Sequence, residues 1–379
     1  MKNADNNMNI HDKTNAMKKI LLFIDNLGAG GAQRQICGLA VLLKDAGYDV
    51  NVCTYYPHDF YKKNLDENKV RNKIIPGADN TKKRILAVRN FFKKESPDWV
   101  IAYQETPSLI ACAAKVLGCN YKLMVSERNT TQVVGMNERV RFFLYRWADA
   151  IVPNSYSQEK YLAEHHPWMK RKLKTITNFV DLEHFNFVER KKRDVPEIAI
   201  VASIWESKNT LGFIDAVTDL AKKSFKFHVS WYGKTESNIE YFNKCQRKIK
   251  DYGVQEYIEL KETTKQIKTV YQTADFFCLP SFYEGTPNVI CEAISTGLPV
   301  ACSDVCDNSI YVHEGENGFL FNPSNTPSIA NAFEKMLSVK TREYNSLSTS
   351  SRAIAEEKLS QARFINEYIE IIESKECQQ

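Results

Sequence analysis

Short runs of apolar residues alternate along the chain with longer stretches in which apolar residues recur at helical spacing. The runs are apolar almost throughout, which is typical of parallel strands buried on both faces. In the first half they are KILLFID, DVNVCTY, WVIAY, KLMVSE and AIVPNS, and in the second half IAIVAS, KFHVSWYG, YIELKE, DFFCLPS and PVACSD. Five strands in each half, separated by helices, predict two doubly wound α/β domains with Rossmann-like sheets.

Composition along the chain predicts where these domains begin and end. Residues 1–16 are rich in Asn, Lys and Asp and are expected to form a disordered tail, so the first domain is placed at 17–187. The charged segment VERKKRDVPE, 188–197, is typical of a linker. The second domain is placed at 198–355. Residues 356–379 are expected to end the chain as a long amphipathic helix that packs back on the first domain.

Charge is divided unevenly between the two halves. Residues 1–180 contain 28 Lys and Arg against 17 Asp and Glu, whereas residues 181–379 contain 23 against 29. A basic first half predicts an anionic partner, which is a membrane surface, a nucleic acid or a phosphorylated ligand. Nucleic acid is disfavoured because the chain contains no recognised nucleic-acid-binding motif.

One basic stretch, TKKRILAVRNFFKK at 81–94, has two interpretations. It is either a helix that docks on an anionic membrane surface or an ordinary helix of the α/β fold. In the second case four apolar side chains pack inward: Ile85, Leu86, Val88 and Phe92.

The ten cysteines do not follow a metal-binding or redox pattern. No CxxC sequence and no Cys/His cluster with zinc spacing occurs, and most cysteines lie among apolar residues. We therefore expect buried, reduced thiols in a cytoplasmic protein. No apolar run approaches the roughly 18 residues of a membrane span, and ILLFI is too short for a signal peptide.

Glycines follow the first predicted strand in the sequence NLGAGGAQ. Gly28, Gly30 and Gly31 lie between that strand and a helix, where backbone amides can approach an anion. The spacing is GxGG and not GxGxxG, so it does not indicate a dinucleotide site. The alternative is a tight turn that binds no ligand.

The segment PSFYEGTPNVICEAISTGLPV, 280–300, predicts a loop, a helix and the next strand. Thr286 is expected to cap the helix, Pro287 to occupy its first position and Gly297 to follow its end. Glu284 precedes the helix at the carboxyl end of a strand, where open α/β sheets bind ligands.

Glu292 is predicted to point away from the apolar face of that helix. No Lys or Arg lies three or four residues from it, so it has no local ion pair. It is either a solvated glutamate or a ligand-binding one. Carboxylates accept hydrogen bonds from sugar hydroxyls, and a helix N-terminus binds phosphate. Together with Glu284, the segment therefore suits a nucleotide sugar.

Four segments resemble the retaining GT-B glycosyltransferases of family 4, and the resemblance covers nearly the whole chain from Met17. Glu284 and Glu292 match the family's glutamate-x7-glutamate motif. The other three are GAGGAQRQICGLAVLLKDAGYDVNVCT, ITNFVDLEHF and EGENGFLFNPSN. The resemblance implies a GT-B fold in which two Rossmann-like domains face each other across a cleft. The N-terminal domain would bind the acceptor and the C-terminal domain the donor.

The resemblance also implies roles for individual residues. Glu292 would bind the ribose hydroxyls, Glu284 the hydroxyls of the transferred sugar, and Lys208 the diphosphate. The remaining donor contacts would come from Gly30, Gly31 and Ser203 and from the segment Thr286, Pro287 and Asn288.

This sequence departs from the family at two positions. Ser203 stands where the family has a diphosphate-binding arginine, which removes a bidentate cation from the donor site. The family also often has a histidine near the donor sugar. Here Glu127 or Arg128 stands at about that point, and Glu127 joins Glu284 and Lys208 as a predicted catalytic residue.

The implied activity is transfer of a sugar, from a UDP-sugar by preference, with retention of anomeric configuration. No DxD sequence occurs, so neither a metal nor another cofactor is expected. The acceptor would be a glycan or a lipid-linked sugar of surface polysaccharide or glycolipid synthesis, at the inner face of the cytoplasmic membrane. The alternatives are a sugar-nucleotide epimerase, a phosphorylase, or a nucleotide-sugar-binding protein with impaired catalysis.

Overall fold

The computed structural model describes residues 17–77, 80–128, 135–234 and 238–374. The tail expected at 1–16 and the last residues of the segment expected to be helical, 375–379, lie outside the described residues. The described strands are β1 (Lys19–Phe23), β2 (Asp49–Thr54), β3 (Arg71–Ile74), β4 (Trp99–Tyr103), β5 (Lys122–Glu127), β6 (Ala150–Pro153), β7 (Glu197–Val201), β8 (His228–Tyr232), β9 (Ile258–Lys261), β10 (Phe276–Leu279), β11 (Val300–Ser303) and β12 (Gly318–Phe321).

A helix lies between each consecutive pair of these described strands. The helices are α1 (Gly31–Asp45), α2 (Lys62–Glu67), α3 (Thr81–Glu95), α4 (Glu105–Val116), α5 (Met136–Leu144), α6 (Tyr156–His165), α7 (Thr210–Lys222), α8 (Ile239–Asp251), α9 (Ile267–Thr273), α10 (Asn288–Ser295), α11 (Asn308–Tyr311), α12 (Thr326–Ser338), α13 (Thr341–Leu359) and α14 (Gln361–Glu373).

The strands form two six-stranded sheets with the same plan. The orders are β3-β2-β1-β4-β5-β6 and β12-β11-β10-β7-β8-β9, and the strand pairs are parallel. All ten predicted strands are present, which confirms the predicted α/β fold class. The edge strands β3 and β12 were not predicted.

Two compact units divide the chain by its internal contacts. The first runs up to Val125 and includes Trp147–Asp149, and the second contains Ser126–Arg146 and the chain from Ala150 onward. The domain limits inferred from composition therefore stay a prediction. The expected linker 188–197 is held within the second unit, where Arg190 donates to the carbonyls of Thr296 and Tyr271.

Both faces of the second sheet are buried. Ile198 and Ile200 of β7 belong to one apolar cluster, whereas the intervening Ala199 belongs to another. Successive side chains of a strand point to opposite faces, so each face of this sheet has its own core. Trp231 of β8 is fully buried in the first of these clusters. Its ring makes an edge-to-face contact with the ring of Phe213 of α7, with the centroids 5.7 Å apart.

The end of the chain forms two helices and not the single helix predicted. The break falls at Ser360, which has ψ of 144° and whose hydroxyl caps α14 by accepting from Arg363 N. The first of the two helices, α13, packs along α10. The second, α14, packs on the segment after α6, where the rings of Phe364 and Phe179 lie 4.7 Å apart.

Helix α3 is largely an ordinary helix of the fold. Val88 and Phe92 are buried, and Arg84 stacks on the ring of Tyr55 at 4.5 Å. Leu86 is 54% exposed, which differs from the inward packing considered for it. Docking of this helix on a membrane stays a prediction.

Most of the described cysteines are buried, as the sequence predicts. Of the nine described cysteines, eight are buried and Cys306 is exposed, and none of the nine pairs in a disulfide with another described residue. Within the described ranges, no helix has the length and apolar character that crossing a bilayer requires.

Candidate functional site

The second sheet has one topological switch point. Strands β7 and β10 are neighbours at its centre, and the chain continues from β7 towards β9 and from β10 towards β12. The loops that leave the two strands at their carboxyl ends therefore diverge and leave a crevice, which is where open α/β sheets bind ligands.

The loop after β7 carries Ser203 and Lys208. Ser203 is exposed, and Lys208 ends a short 3-10 turn that begins at Glu206. The next residue, Asn209, has a left-handed φ of 57°, a conformation that Asn tolerates better than most residues. Its side-chain amide donates to the carbonyl of Pro323 at 2.7 Å, which fixes the backbone directly behind Lys208.

The loop after β10 brings Glu284 to Lys208. Phe282 N donates to the carbonyl of Ser207 at 2.9 Å, so the two loops are joined through their backbones. Lys208 Nζ lies 2.5 Å from Glu284 Oε1, and the side chains are 24% and 13% exposed. The structure therefore brings these two predicted residues together as an ion pair at the switch point.

The N-terminus of α10 differs from the prediction in its cap. The helix begins at Asn288, with Pro287 as its N-cap and without a side-chain cap. The Thr286 hydroxyl does not cap the helix, because it donates to the carbonyl of Asn154 at 2.5 Å. Gly297 follows the helix end with φ of 82°, as predicted.

A second polar contact holds the same helix start. Asn178 Nδ2 donates to Asn288 Oδ1 at 2.7 Å, and Asn178 Oδ1 accepts from the guanidinium of Arg128. Arg128 is buried. A short polar chain thus runs from the residue after β5 to the first residue of α10. Asn178 lies in the quoted ITNFVDLEHF segment, but sequence reasoning did not single it out.

Glu292 is not a solvated glutamate. Only 5% of it is exposed, and its neighbours from Ile290 to Ser295 in α10 are buried as well. Its predicted direction away from the apolar face stays a prediction. The hydroxyl of Tyr271, in α9, donates to Glu292 Oε2 at 3.0 Å. Tyr271 was missed from the sequence because a contact between two separate helices leaves no local signal.

Glu127 ends β5 and is fully buried. Its carboxylate accepts from Arg141 Nη2 at 3.3 Å and from the hydroxyl of Tyr145. These contacts give Glu127 a clear role in holding α5 and its following turn. The catalytic role assigned to it stays a prediction, as does the choice between Glu127 and Arg128.

A third strand end lies beside Ser203. Gly233 follows β8 and packs directly on Ala202, since a Cβ added at Gly233 would lie 2.1 Å from Ala202 O. The same carbonyl accepts from the indole of Trp231 at 2.8 Å. Ser203 directly follows Ala202 after β7, and the exposed Lys234 directly follows Gly233 after β8. Lys234 was not among the predicted site residues.

The glycine loop belongs to the first unit. Gly31 begins α1 and Gly30 is its N-cap, in extended backbone and without a side-chain cap. Gly28 N donates to Asn26 Oδ1 at 2.7 Å, which stabilises the turn. Burial raises the pKa of the neighbouring Asp25. The donor-binding role of Gly30 and Gly31 stays a prediction.

Two family models match the chain. The model described as Glycosyltransferase Family 4 matches residues 29–184, and the model described as Glycosyl transferases group 1 matches residues 195–339.

Curated relatives are similar over most of the chain. The Campylobacter jejuni protein named GalNAc-alpha-(1->4)-GalNAc-alpha-(1->3)-diNAcBac-PP-undecaprenol alpha-1,4-N-acetyl-D-galactosaminyltransferase is 25% identical over 73% of this chain and 77% of its own. From the same organism, N-acetylgalactosamine-N,N'-diacetylbacillosaminyl-diphospho-undecaprenol 4-alpha-N-acetylgalactosaminyltransferase is 24% identical over 93% of this chain and 100% of its own.

Solved structures share the fold. A glycosyltransferase from Rickettsia africae superimposes with a TM-score of 0.82 at 16% identity, covering 94% of this chain and 100% of its own. Anabaena HepE in complex with UDP and glucose gives a TM-score of 0.79 at 16% identity, with the same coverage.

Proposed function

Because the chain is a GT-B glycosyltransferase of family 4, we propose that it transfers a sugar from a UDP-sugar to a lipid-linked glycan. The observation that carries this proposal is the pair of Lys208 and Glu284 at the switch point of the second sheet. A cation and a carboxylate placed side by side suit a ligand that carries a diphosphate next to a sugar.

The roles of the site residues follow from their chemistry. Lys208 binds the diphosphate and stabilises the charge that develops on it as the glycosidic bond breaks. Glu284 accepts hydrogen bonds from the sugar hydroxyls, and Glu292 accepts them from the ribose. The segment Thr286, Pro287 and Asn288 forms the helix start, where an anion is favoured, although Pro287 itself has no N–H to donate.

Lys234 supplies the cation that Ser203 lacks. Lys234 follows Gly233, which packs on Ala202, and Ser203 follows Ala202. Lys234 and Ser203 therefore lie beside each other at the carboxyl ends of β8 and β7. A lysine is a point charge and does not reproduce the bidentate fork of arginine. Lys208 and Lys234 together stabilise the leaving group, and no metal or other cofactor takes part.

Replacing Lys234 by Gln should raise the KM for the donor about tenfold, the effect of losing one charge-assisted hydrogen bond. The matched control is Lys226→Gln, because Lys226 is also exposed but lies before β8, at the amino ends of the strands. Steady-state kinetics with varied donor measure both variants. Equal KM values in the two variants would remove Lys234 from the site.

Transfer retains the configuration at the anomeric carbon. The acceptor oxygen bonds to that carbon on the face from which the diphosphate leaves. The bond to the phosphate oxygen breaks and its electron pair stays on the phosphate. The acceptor proton passes to the departing phosphate oxygen, so the products are UDP and the extended glycan.

The acceptor proposed is a sugar on a polyprenyl diphosphate. Support comes from the two Campylobacter jejuni relatives, whose names specify undecaprenol-linked substrates. We place the enzyme at the inner face of the cytoplasmic membrane, in peripheral contact with it. The eight buried thiols fit a reducing compartment.

The test is transfer of radiolabelled sugar from a panel of UDP-sugars to polyprenyl diphosphate sugars. We expect a labelled lipid product with at least one donor and no product with the Glu284→Gln variant. Epimerised nucleotide sugar in place of a labelled lipid would refute the proposal. So would equal product yield from Glu284→Gln.

A further inference from the structure

Helix α5 exposes a row of apolar side chains. Met136, Val140 and Phe143 are 72%, 45% and 56% exposed. They stand at i, i+4 and i+7, so they lie along one stripe of the helix. Single exposed apolar residues are ordinary in a protein surface, but a continuous stripe marks an interaction surface.

The opposite side of α5 is fixed to the protein interior. Phe142 is buried, and Arg141 is held by the buried carboxylate of Glu127. Tyr145, directly after the helix, donates to the same carboxylate. The exposed stripe is therefore presented by a helix whose rotation is fixed.

Cations surround this stripe. Arg146 stacks on the rings of Phe143 and Trp168, at 5.6 and 5.2 Å. Lys172 donates to the carbonyl of Arg146 at 2.8 Å, which joins the segment 168–172 to the end of the helix. Arg139 is exposed on α5, and Lys170 and Arg171 are exposed within segment 168–172. With Arg146 and Lys172 they are the five cations that we assign to this surface. We name Met136, Val140, Phe143, Trp168 and these five cations the α5 surface.

Helix α5 and segment 165–174 together contain one acidic residue. Segment 165–174 contains no Asp or Glu. The one acidic residue within α5, Glu138, is occupied at the helix start, where its carboxylate accepts from Gly135 N at 2.8 Å. The surface thus combines apolar side chains with an excess of positive charge.

From this combination we infer that the α5 surface docks the enzyme on an anionic lipid bilayer. Apolar side chains enter the boundary between headgroups and acyl chains, and the cations contact the anionic headgroups. A second copy of this chain is a poorer occupant, because a two-fold interface would bring the same five cations face to face. Helix α3 offers a single large exposed apolar residue, Leu86, and is a weaker candidate.

This inference rests on the proposed function, since a lipid-linked acceptor explains why the enzyme needs a bilayer. Sedimentation of the full chain with vesicles tests it without requiring transfer. Vesicles of phosphatidylglycerol and phosphatidylethanolamine should bind the protein, whereas pure phosphatidylcholine vesicles should not. Binding should weaken as salt rises, because salt screens exposed charges.

The Phe143→Asp variant should bind the anionic vesicles about tenfold more weakly, since it removes an apolar contact and adds a repelled charge. Arg139→Glu should also weaken binding and leaves the apolar stripe intact. The matched control is Ile239→Asp, at a side chain of α8 that is 58% exposed. Circular dichroism melting checks that all three variants fold.

Two results overturn the inference. One is that Phe143→Asp and Arg139→Glu bind vesicles as strongly as Ile239→Asp does. The other is that these two substitutions change the oligomeric state of the protein and leave its vesicle binding unchanged. Vesicle binding that depends on Phe143, in a protein that transfers no sugar to any acceptor, refutes the proposed function and leaves the docking surface standing. Transfer to a water-soluble acceptor should survive in Phe143→Asp, while transfer to a bilayer-embedded acceptor falls.

Discussion

The Lys208→Gln variant should lose about 100- to 1000-fold in kcat/KM for sugar transfer, the range found when one preorganised charge donor is removed from an active site. Gln keeps much of the length of Lys and removes the charge. The developing charge on the departing diphosphate then loses its nearest fixed partner. Steady-state kinetics with a UDP-sugar and a soluble acceptor measure the loss.

Lys248 provides the matched control. Its Nζ lies 2.7 Å from a carboxylate oxygen of Asp215, and its side chain is 21% exposed against 24% for Lys208. Lys248 of α8 and Asp215 of α7 therefore form a comparable ion pair that lies away from the switch point. Lys248→Gln should leave transfer unchanged. A Lys208→Gln variant with the kinetics of this control would show that the pair is only a surface ion pair, which contributes about 0–1 kcal/mol to stability.

The Glu292→Gln variant should raise the KM for the donor on the order of 100-fold, with a smaller change in kcat. A carboxylate accepts charge-assisted hydrogen bonds from both ribose hydroxyls, each contributing about 1.5–3 kcal/mol, whereas an amide accepts only one and without the charge, a loss of about 3 kcal/mol. Burial strengthens these bonds because little water competes for the carboxylate. Varied-donor kinetics give KM, and calorimetric titration with UDP gives the affinity directly.

Tyr271→Phe separates positioning from binding at this site. It removes the hydroxyl that donates to Glu292 at 3.0 Å and leaves the carboxylate in place. We expect a donor KM only a few times higher than in the wild type. If Glu292→Gln lowers the melting temperature but does not change KM, Glu292 serves packing and the ribose lies elsewhere.

Most of the fold was predictable because both sheets are made of continuous apolar strands. The two strands that were missed lie at sheet edges. Strand β3, with the sequence RNKI, is largely exposed and has no apolar run. Edge strands need fewer apolar residues, so their pattern is weaker. Strand β12, with the sequence GFLF, is apolar and as long as β10 and β11, so neither its length nor its composition explains why it was missed.

The end of the chain shows a different limit. The apolar positions of 351–374 keep helical spacing through Ser360, so periodicity predicts one helix. A serine is a poor interior residue but a good N-cap. Its hydroxyl caps α14 here, which ends one helix and begins the next.

The candidate site was predictable where it is local in sequence. Glu284, the start of α10 and Gly297 lie within one segment, and the family resemblance adds Lys208, which the structure places against Glu284. Contacts that join distant segments were not predictable. The hydroxyl of Thr286 donates to the carbonyl of Asn154, and Glu292 accepts from the hydroxyl of Tyr271. Neither partner leaves a signal in the 280–300 segment.

The pairing of Lys208 with Glu284 has a consequence for discrimination among cellular anions. At 2.5 Å the carboxylate is already the counter-ion of the lysine. In the proposed function, an anion that binds Lys208 must displace that carboxylate, and inorganic phosphate offers it no sugar hydroxyls in return. A nucleotide sugar gives new partners to both groups at once, oxygens to the lysine and hydroxyls to the carboxylate. In that function the ion pair would favour a ligand that carries a diphosphate and sugar hydroxyls in one molecule.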